Sequence, residues 1–348
     1  MFAVALPMLL FAAQAPDRNC TDDRGRDRCA AAAQQEMRAL YGVPPIEELA
    51  AAGAEVRRIF YVDGYGRDTV LIAFVRAPGS DPTLRVHYPR HAREERPEPL
   101  QAPVPSGVWN EVIERGTHFH RRFAAQAGEP DGAMLMCLHS SVFVAEAAER
   151  GSAAQPARIR RKTEDACEGG PAEIYAGDLQ RIALDLIPHC AALDTGQHRN
   201  AAAALDACRI LRGDRLAAAE ALNKADGFRF YEEPADAERF RYLFADQTAI
   251  DWAGRPYRGR GWDAHQFWAA QIGSGRAHMF WDRADGLSAD RVRLTGSMTR
   301  YSRVQDDQNT RTEVAAVEQT WILDHNRQWK VERAVIGPWV VRREDGAS

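Results

Sequence analysis

Between Arg291 and Ile336 three runs follow one another with little between them: Arg291–Arg303, Val314–Asp324 and Trp329–Ile336. The first alternates strictly, the period-2 pattern of a strand that buries one face, and the other two read as strands that follow it. The tetrapeptide His325-Asn326-Arg327-Gln328 turns the second run into the third. Strands of this kind have their register dictated, because a slip of one residue would move the whole apolar set to the wrong side. Seven of the eight tryptophans lie between Trp252 and Trp339, so the bulk that these strands must bury is largely aromatic.

Upstream of the strands, FADQTAIDW reads as a short strand, Gly254-Arg255-Pro256-Tyr257 as a turn, and the segment after it as a helix. Asp263 with Gln266 has capping-box spacing, and Ala264, Phe267, Trp268 and Ile272 share one helical face. A further helix is expected around Ala237–Phe244.

Helices followed by a helix-interrupted series of long antiparallel strands ending in TWILDHNRQWKVERAVIGPW resemble the nuclear-transport-factor-2-like superfamily, over residues 228–341. The resemblance is nearest its ketosteroid-isomerase-like and SnoaL-like (polyketide-cyclase-like) branches. It rests on the FADQTAIDW strand, the PYRGR segment before the helix and the hairpin carrying Trp329-Lys330-Val331. It implies a strongly bent antiparallel sheet wrapped around helices to form a cone with an apolar pocket, and dimerisation through the sheet. Enzymes, binding proteins and assembly modules share that fold, so it implies no single function.

The first half reads as a separate α+β domain of no recognised family. Residues 30–41 are strong helix formers that stop at Gly42 before Pro44-Pro45. Runs 58–63, 69–76 and 83–88, punctuated by Gly64-Tyr65-Gly66 and Pro78-Gly79-Ser80, predict an antiparallel meander. Residues 89–105 read as a proline-rich loop, 108–123 and 172–187 as helices, and 134–145 as a strand. An alanine-rich helical stretch, 200–225, is broken at Gly213-Asp214. The fold class expected is thus α+β throughout. The organisation expected is a signal peptide at 1–15, a cysteine-containing domain at 16–199, connecting helices at 200–227, the cone at 228–341 and a tail at 342–348.

The signal peptide is read from MFAVALPMLLFAAQA, a short apolar run ending in Ala13-Gln14-Ala15, a small-residue cleavage pattern. The run is shorter than the ~20 residues a spanning helix needs, so a stable membrane span is not expected. Six cysteines, Cys20, Cys29, Cys137, Cys167, Cys190 and Cys208, agree with a periplasmic or secreted location. Without a CxxC pair they point to disulfides and away from zinc. Cys20 with Cys29 is the first pairing expected, because TDDRGRDR between them has no apolar residue to hold a loop by burial; Cys137 with Cys167 and Cys190 with Cys208 is the simplest nesting of the others. The sequence does not choose among the connectivities.

Net charge is −4, from 45 basic and 49 acidic residues, which supplies no field for attracting nucleic acid. The basic run Arg158–Lys162 reads as a solvated face. No dinucleotide fingerprint, Walker loop or Gly-x-Ser-x-Gly elbow is present, and no cofactor is expected. His118 and His120 are two apart on a helix and point to different sides, so they read as surface histidines.

In a cone, Asp251, Tyr257, Tyr301 and Glu318 supply the residue types of a ketosteroid-isomerase-type site, a carboxylate base with phenol and acid donors, although no motif assigns them those roles. On the last strands Val317, Gln319, Trp321 and Leu323 share a face, as do Trp329, Val331, Arg333 and Val335. Gln319 and Arg333 interrupt apolar faces, and would orient a ligand, pair across a dimer or face solvent. Trp252, Trp281 and Trp321 line the cone or, as the bulk of tryptophan favours, fill its core. Asp251, Trp252, Tyr257, Trp281, Tyr301, Gln319, Trp321 and Arg333 are therefore the candidate ligand-binding residues. The function expected is non-catalytic binding of a small apolar ligand or a protein partner; a cofactor-independent lyase or isomerase and a structural cell-envelope role are the alternatives.

Overall fold

The computed structural model describes residues 31–62, 68–90, 98–126, 141–151, 156–166, 171–193, 201–232, 240, 242–272, 276–303 and 310–342. The leader at 1–15 and Cys20, Cys29, Cys137 and Cys167 lie outside them. So do 134–140 of the expected strand and 237–239 and 241 of the helix expected at 237–244, of which Tyr242 and Leu243 form a turn and Phe244 already begins a strand. The fold is α+β, with helices and mainly antiparallel sheets. Its contacts divide the chain into two compact units, Met1–Leu179 and Gln180–Ser348.

In the first unit, six strands pair in the order β4-β3-β2-β1-β5-β6. These are β1 (Glu55–Val62), β2 (Asp68–Arg76), β3 (Thr83–His87), β4 (Leu100–Pro103), β5 (Ser141–Glu149) and β6 (Arg158–Ala166). The meander β1-β2-β3 is antiparallel in the predicted order. β4 lies inside the segment expected to be a loop. It is a four-residue edge strand ending at Pro103, too short for alternation to register. The basic run lies in β6, an edge strand on which Arg158 is exposed while Arg160 and Lys162 are half-buried.

Two short helices, α1 (Ala31–Tyr41) and α2 (Ile46–Ala51), supply the apolar partners of one sheet face. Met37 and Tyr41 close over Phe60, Leu71 and Val144, while Ile46 and Ala50 cover Val56 and Ala148. Among these apolar groups sits a charge cluster. Glu146 on β5 lies directly across from Arg58 on β1 and Arg161 on β6. Its carboxylate accepts from Arg58 Nε at 2.6 Å and Arg161 Nε at 2.7 Å, with Arg38 of α1 at 3.8 Å. Arg58 also donates to the Pro44 carbonyl at 2.9 Å, and Arg161 to Glu47 of α2 at 3.0 Å. Glu146 and Arg58 are almost wholly buried. Because each contact depends on cross-strand position, the cluster fixes the β1-β5-β6 register and ties both helices to it.

The longer helices α3 (Ser106–Gln126) and α4 (Pro171–Asp185) meet through Phe119 stacked on Tyr175, ring centroids 4.6 Å apart. α3 lacks a side chain at Gly116, where a Cβ would come within 3.1 Å of both Arg57 Nε and the Tyr175 hydroxyl oxygen. His118 is exposed, whereas His120 is half-buried.

The second unit continues with α5 (Pro188–Ala191), α6 (Ala201–Cys208), β7 (Leu211–Gly213), α7 (Arg215–Asp226) and β8 (Phe230–Glu232). The break at Gly213-Asp214 is a helix start: the Asp214 carboxylate accepts from the Ala217 N–H at 3.1 Å, an N-cap. Cys190 of α5 and Cys208 of α6 form a disulfide with Cα atoms 5.4 Å apart. Then come β9 (Phe244–Trp252), β10 (Arg255–Gly259), α8 (Gly261–Ile272), β11 (Arg276–Ser288), β12 (Arg291–Arg303), β13 (Thr310–Leu323), β14 (Trp329–Ile336) and β15 (Val340–Val341). The sheet runs β10-β9-β14-β13-β12-β11-β7, with β15 added to β13 and β8 to β11.

Of the segment expected to be a turn, Arg255, Pro256 and Tyr257 belong to the strand β10 and only Gly254 to the reversal. The reversal is Ala253-Gly254, both at positive φ, a two-residue hairpin loop. α8 begins at Gly261, which places Asp263 within its first turn and not at its cap. β11 has no counterpart in the sequence reading. Its WDRADG segment does not alternate, because register shifts at Trp281/Arg283 and Gly286/Ser288 interrupt the period. Opposite the first of these stands Gly296 of β12, where a Cβ would lie 1.9 Å from the Phe280 carbonyl oxygen. The extra residue in β11 and the missing side chain in β12 together let the two strands bend.

Candidate functional site

β14 joins β13 through Asp324–Gln328, where the Asp324 carboxylate accepts from the Asn326 and Gln328 N–H groups at 2.9 and 2.8 Å. Arg327 takes a positive φ of 57° to complete the turn. The turn sets Arg327, Gln328 and Trp329 beside the last turns of α7. There the helix presents Glu220, Asn223 and Lys224, followed by Gly227 and Phe228. These eight residues line an open cavity of about 370 Å³, the low end of the size range of small-molecule pockets.

The cavity has an aromatic floor and a polar rim. Trp329 and Phe228 are buried, and the Trp329 indole N–H donates to Glu220 Oε2 at 3.3 Å. The Lys224 ammonium lies 5.2 Å from the centroid of the Phe228 ring. Asn223 Oδ1 is buried without a hydrogen-bond partner among the described residues. Lys224 and Arg327 against Glu220 leave the rim with an excess positive charge. Next to it, burial pushes the Asp226 carboxyl up to about 6, with Arg229 opposing.

None of the eight candidate residues read from the sequence lines this cavity. Gln319 and Trp321 are buried side by side: the Trp321 indole donates to Gln319 Oε1 at 2.9 Å, and Gln319 Nε2 approaches Met279 Sδ at 3.8 Å. Trp252 is buried edge-on against Trp268, centroids 5.1 Å apart. Trp281 is half-buried at the β11 register shift. Tyr257, half-buried, stacks on Phe267 at 5.0 Å; burial first, and then Asp263, raise its phenol. Tyr301 packs against His278 at 5.2 Å.

Asp251 is exposed and accepts from the Gly254 N–H at 2.9 Å, closing the β9-β10 turn. Glu318 is half-exposed and alternates with buried Val317. Arg333 is exposed because β14 changes phase. Thr320 pairs with Arg333 but Trp321 with Val331, so Trp329 and Val331 are buried before the shift and Ala334 and Ile336 after it. The structure therefore brings together Gln319 with Trp321, and sets Asp251, Tyr257 and Trp252 on the β9-β10 hairpin.

The sequence reading missed the α7 side of the cavity. Its signal is a polar stripe, Glu220, Asn223 and Lys224, at i, i+3 and i+4 in a helix otherwise rich in alanine. Elsewhere in the unit, His189, Cys190 and Cys208 are a potential metal-ligating group among the described residues, with both sulfurs engaged in the disulfide.

No protein-family model matches the chain, and no curated protein matches it. Solved structures similar to part of it are NTF2-like. One is a variant of a protein titled Rd1NTF2_05, at 20% identity and a TM-score of 0.25, covering 29% of this chain and 82% of that one. Another is an NTF-2-like protein of unknown function from Shewanella oneidensis MR-1, at 14% identity and a TM-score of 0.24, covering 30% of this chain and 84% of that one.

Proposed function

We propose that this chain is an exported, non-catalytic binding protein with an NTF2-like second unit, and that it takes a small molecule in the opening between α7 and the β13-β14 turn. The observation that carries the reading is a contrast within that unit. Trp252, Trp268 and Trp321 are buried, and Gln319 is consumed by Trp321, so these side chains serve the core. The α7 opening instead offers an aromatic floor, a buried acceptor in Asn223 unpartnered among the described residues, and a cationic rim. A ligand that matches it has a flat apolar body, an anionic group for Lys224 and Arg327, and a hydrogen-bond donor for Asn223 Oδ1.

Titration calorimetry with 2-naphthoate, and with its neutral carboxamide as control, tests this. The carboxylate is expected to bind saturably at one site, more tightly than the amide. Lys224→Ala should weaken it about tenfold, the loss of one charge-assisted contact. The proposal fails if neither compound gives saturable heat, or if charge and Lys224 make no difference.

Export is supported by the apolar run at 1–15 and by the Cys190–Cys208 disulfide, since such bonds persist in oxidising compartments. Among the described residues no helix is long and apolar enough to cross a membrane. Mass spectrometry of protein from fractionated cells should find the chain outside the cytoplasm, starting after Ala15. Full-length chain confined to the cytoplasm would count against export.

A further inference from the structure

The disulfide between α5 and α6 has a third donor beside it. His189 precedes Cys190, and the ligating atoms of His189, Cys190 and Cys208 all lie within 4.8 Å of one another. His189 Nε2 is buried and has no hydrogen-bond partner among the described residues. The sulfurs are fully buried, whereas His189 is half-buried, so the group meets solvent on the imidazole side.

We propose that reduction of this disulfide converts it into a zinc site with ligands His189, Cys190 and Cys208 and water in the fourth position. A dithiol reductant gives up two electrons and two protons and is itself oxidised to a disulfide. The Cys190–Cys208 S–S bond breaks and two thiols form. Zinc binding then releases the two thiol protons and leaves two thiolate ligands. The geometry needs little change. With Zn–S bonds of about 2.3 Å at tetrahedral angles, the sulfurs stand about 3.8 Å apart. Cα atoms 5.4 Å apart allow that separation by side-chain rotation, and the imidazole nitrogen already lies within reach. The same two cysteines thus hold α5 to α6 by a covalent bond when oxidised and by a shared cation when reduced, which preserves the helix pair across a redox change.

The test is cobalt(II) and zinc(II) uptake by the full chain, oxidised and after treatment with a phosphine, which takes its oxygen from water. The comparison proteins are His189→Ala and the double variant Cys190→Ser, Cys208→Ser. Reduced wild type should bind one more equivalent of cobalt than the double variant, with a thiolate-to-cobalt charge-transfer band that zinc displaces. His189→Ala should weaken that equivalent about tenfold or more and alter the band, while its oxidised form keeps the wild-type circular dichroism. The proposal is overturned if reduced wild type binds no metal, whether folded or unfolded. It is equally overturned if the double variant takes up as much, which would place the ion on the other cysteines, or if His189→Ala binds as wild type does.

Discussion

Glu146 answers to three arginines from a position that water scarcely reaches, and a single atom change shows what it contributes. Glu146→Gln keeps the shape and removes the charge, leaving Arg58 buried against a neutral amide. Burial already lowers the Arg58 proton affinity, and Glu146 is the main group opposing that effect. Removing one member of a buried pair costs more than forming it gains, because the charge left behind keeps its desolvation penalty. The expected loss is about 3 kcal/mol, read as a lower urea midpoint for the first unit at unchanged slope. A change within about 0.5 kcal/mol would mean that water or backbone carbonyls already compensate Arg58. Such a pair is invisible in sequence. Arg58 and Glu146 are far apart along the chain, and nothing in the pattern around either marks it as buried.

At the scale of elements, the pairing of β11 with β12 departs from regular register. The register shift at Trp281/Arg283 gives β11 one residue more than β12, and Gly296 makes room for it. Any side chain at 296 must displace the Phe280 carbonyl. Gly296→Val should therefore cost about 3 kcal/mol or more in the second unit, despite the higher strand propensity of valine. Thermal unfolding checks it: an unchanged or raised midpoint would show that the close approach is dispensable. The same irregularity explains why β12, β13 and β14 were legible and β11 was not. Alternation survives only where pairing is regular. In β14 the phase change at Arg333 is smaller, yet it turns out to solvent a residue that alternation alone places on one face with Trp329 and Val331. The α7 stripe was readable in principle, but a polar stripe on a helix marks the solvent side in most proteins, and only the neighbouring turn of the sheet makes it one wall of a cavity.

For the whole molecule, the two units carry titrating groups of opposite sense. In the first, burial, and then Arg160, Arg57 and Arg158, hold the His120 imidazole at about 4. A base with a depressed folded value contributes stability that is present above its unfolded value near 6.5 and is lost as pH falls towards 4. In the second, Asp226 is raised to about 6. Its contribution is present below its unfolded value near 3.8 and is lost as pH rises through 6. Lowering pH from 7 to 5 should therefore weaken the first unit and strengthen the second, each by about 1–2 kcal/mol. Calorimetry should show the two transitions moving in opposite directions, with His120→Gln abolishing the first shift and Asp226→Asn the second. Parallel movement would refute the assignment. The sequence by itself determined the α+β class, the β1-β2-β3 meander, the three long C-terminal strands and the tryptophan-rich composition of what they bury. These depend on local periodicity and turn chemistry, which each segment carries within itself. Only the tertiary structure decided which side chains face one another: the Arg58–Glu146 pair, the Cys190–Cys208 bond, the burial of Gln319 by Trp321 and the cavity beside α7. Apart from Gln319 and Trp321, which are neighbours on one strand face, these contacts join residues distant in the chain, and local periodicity carries no record of them.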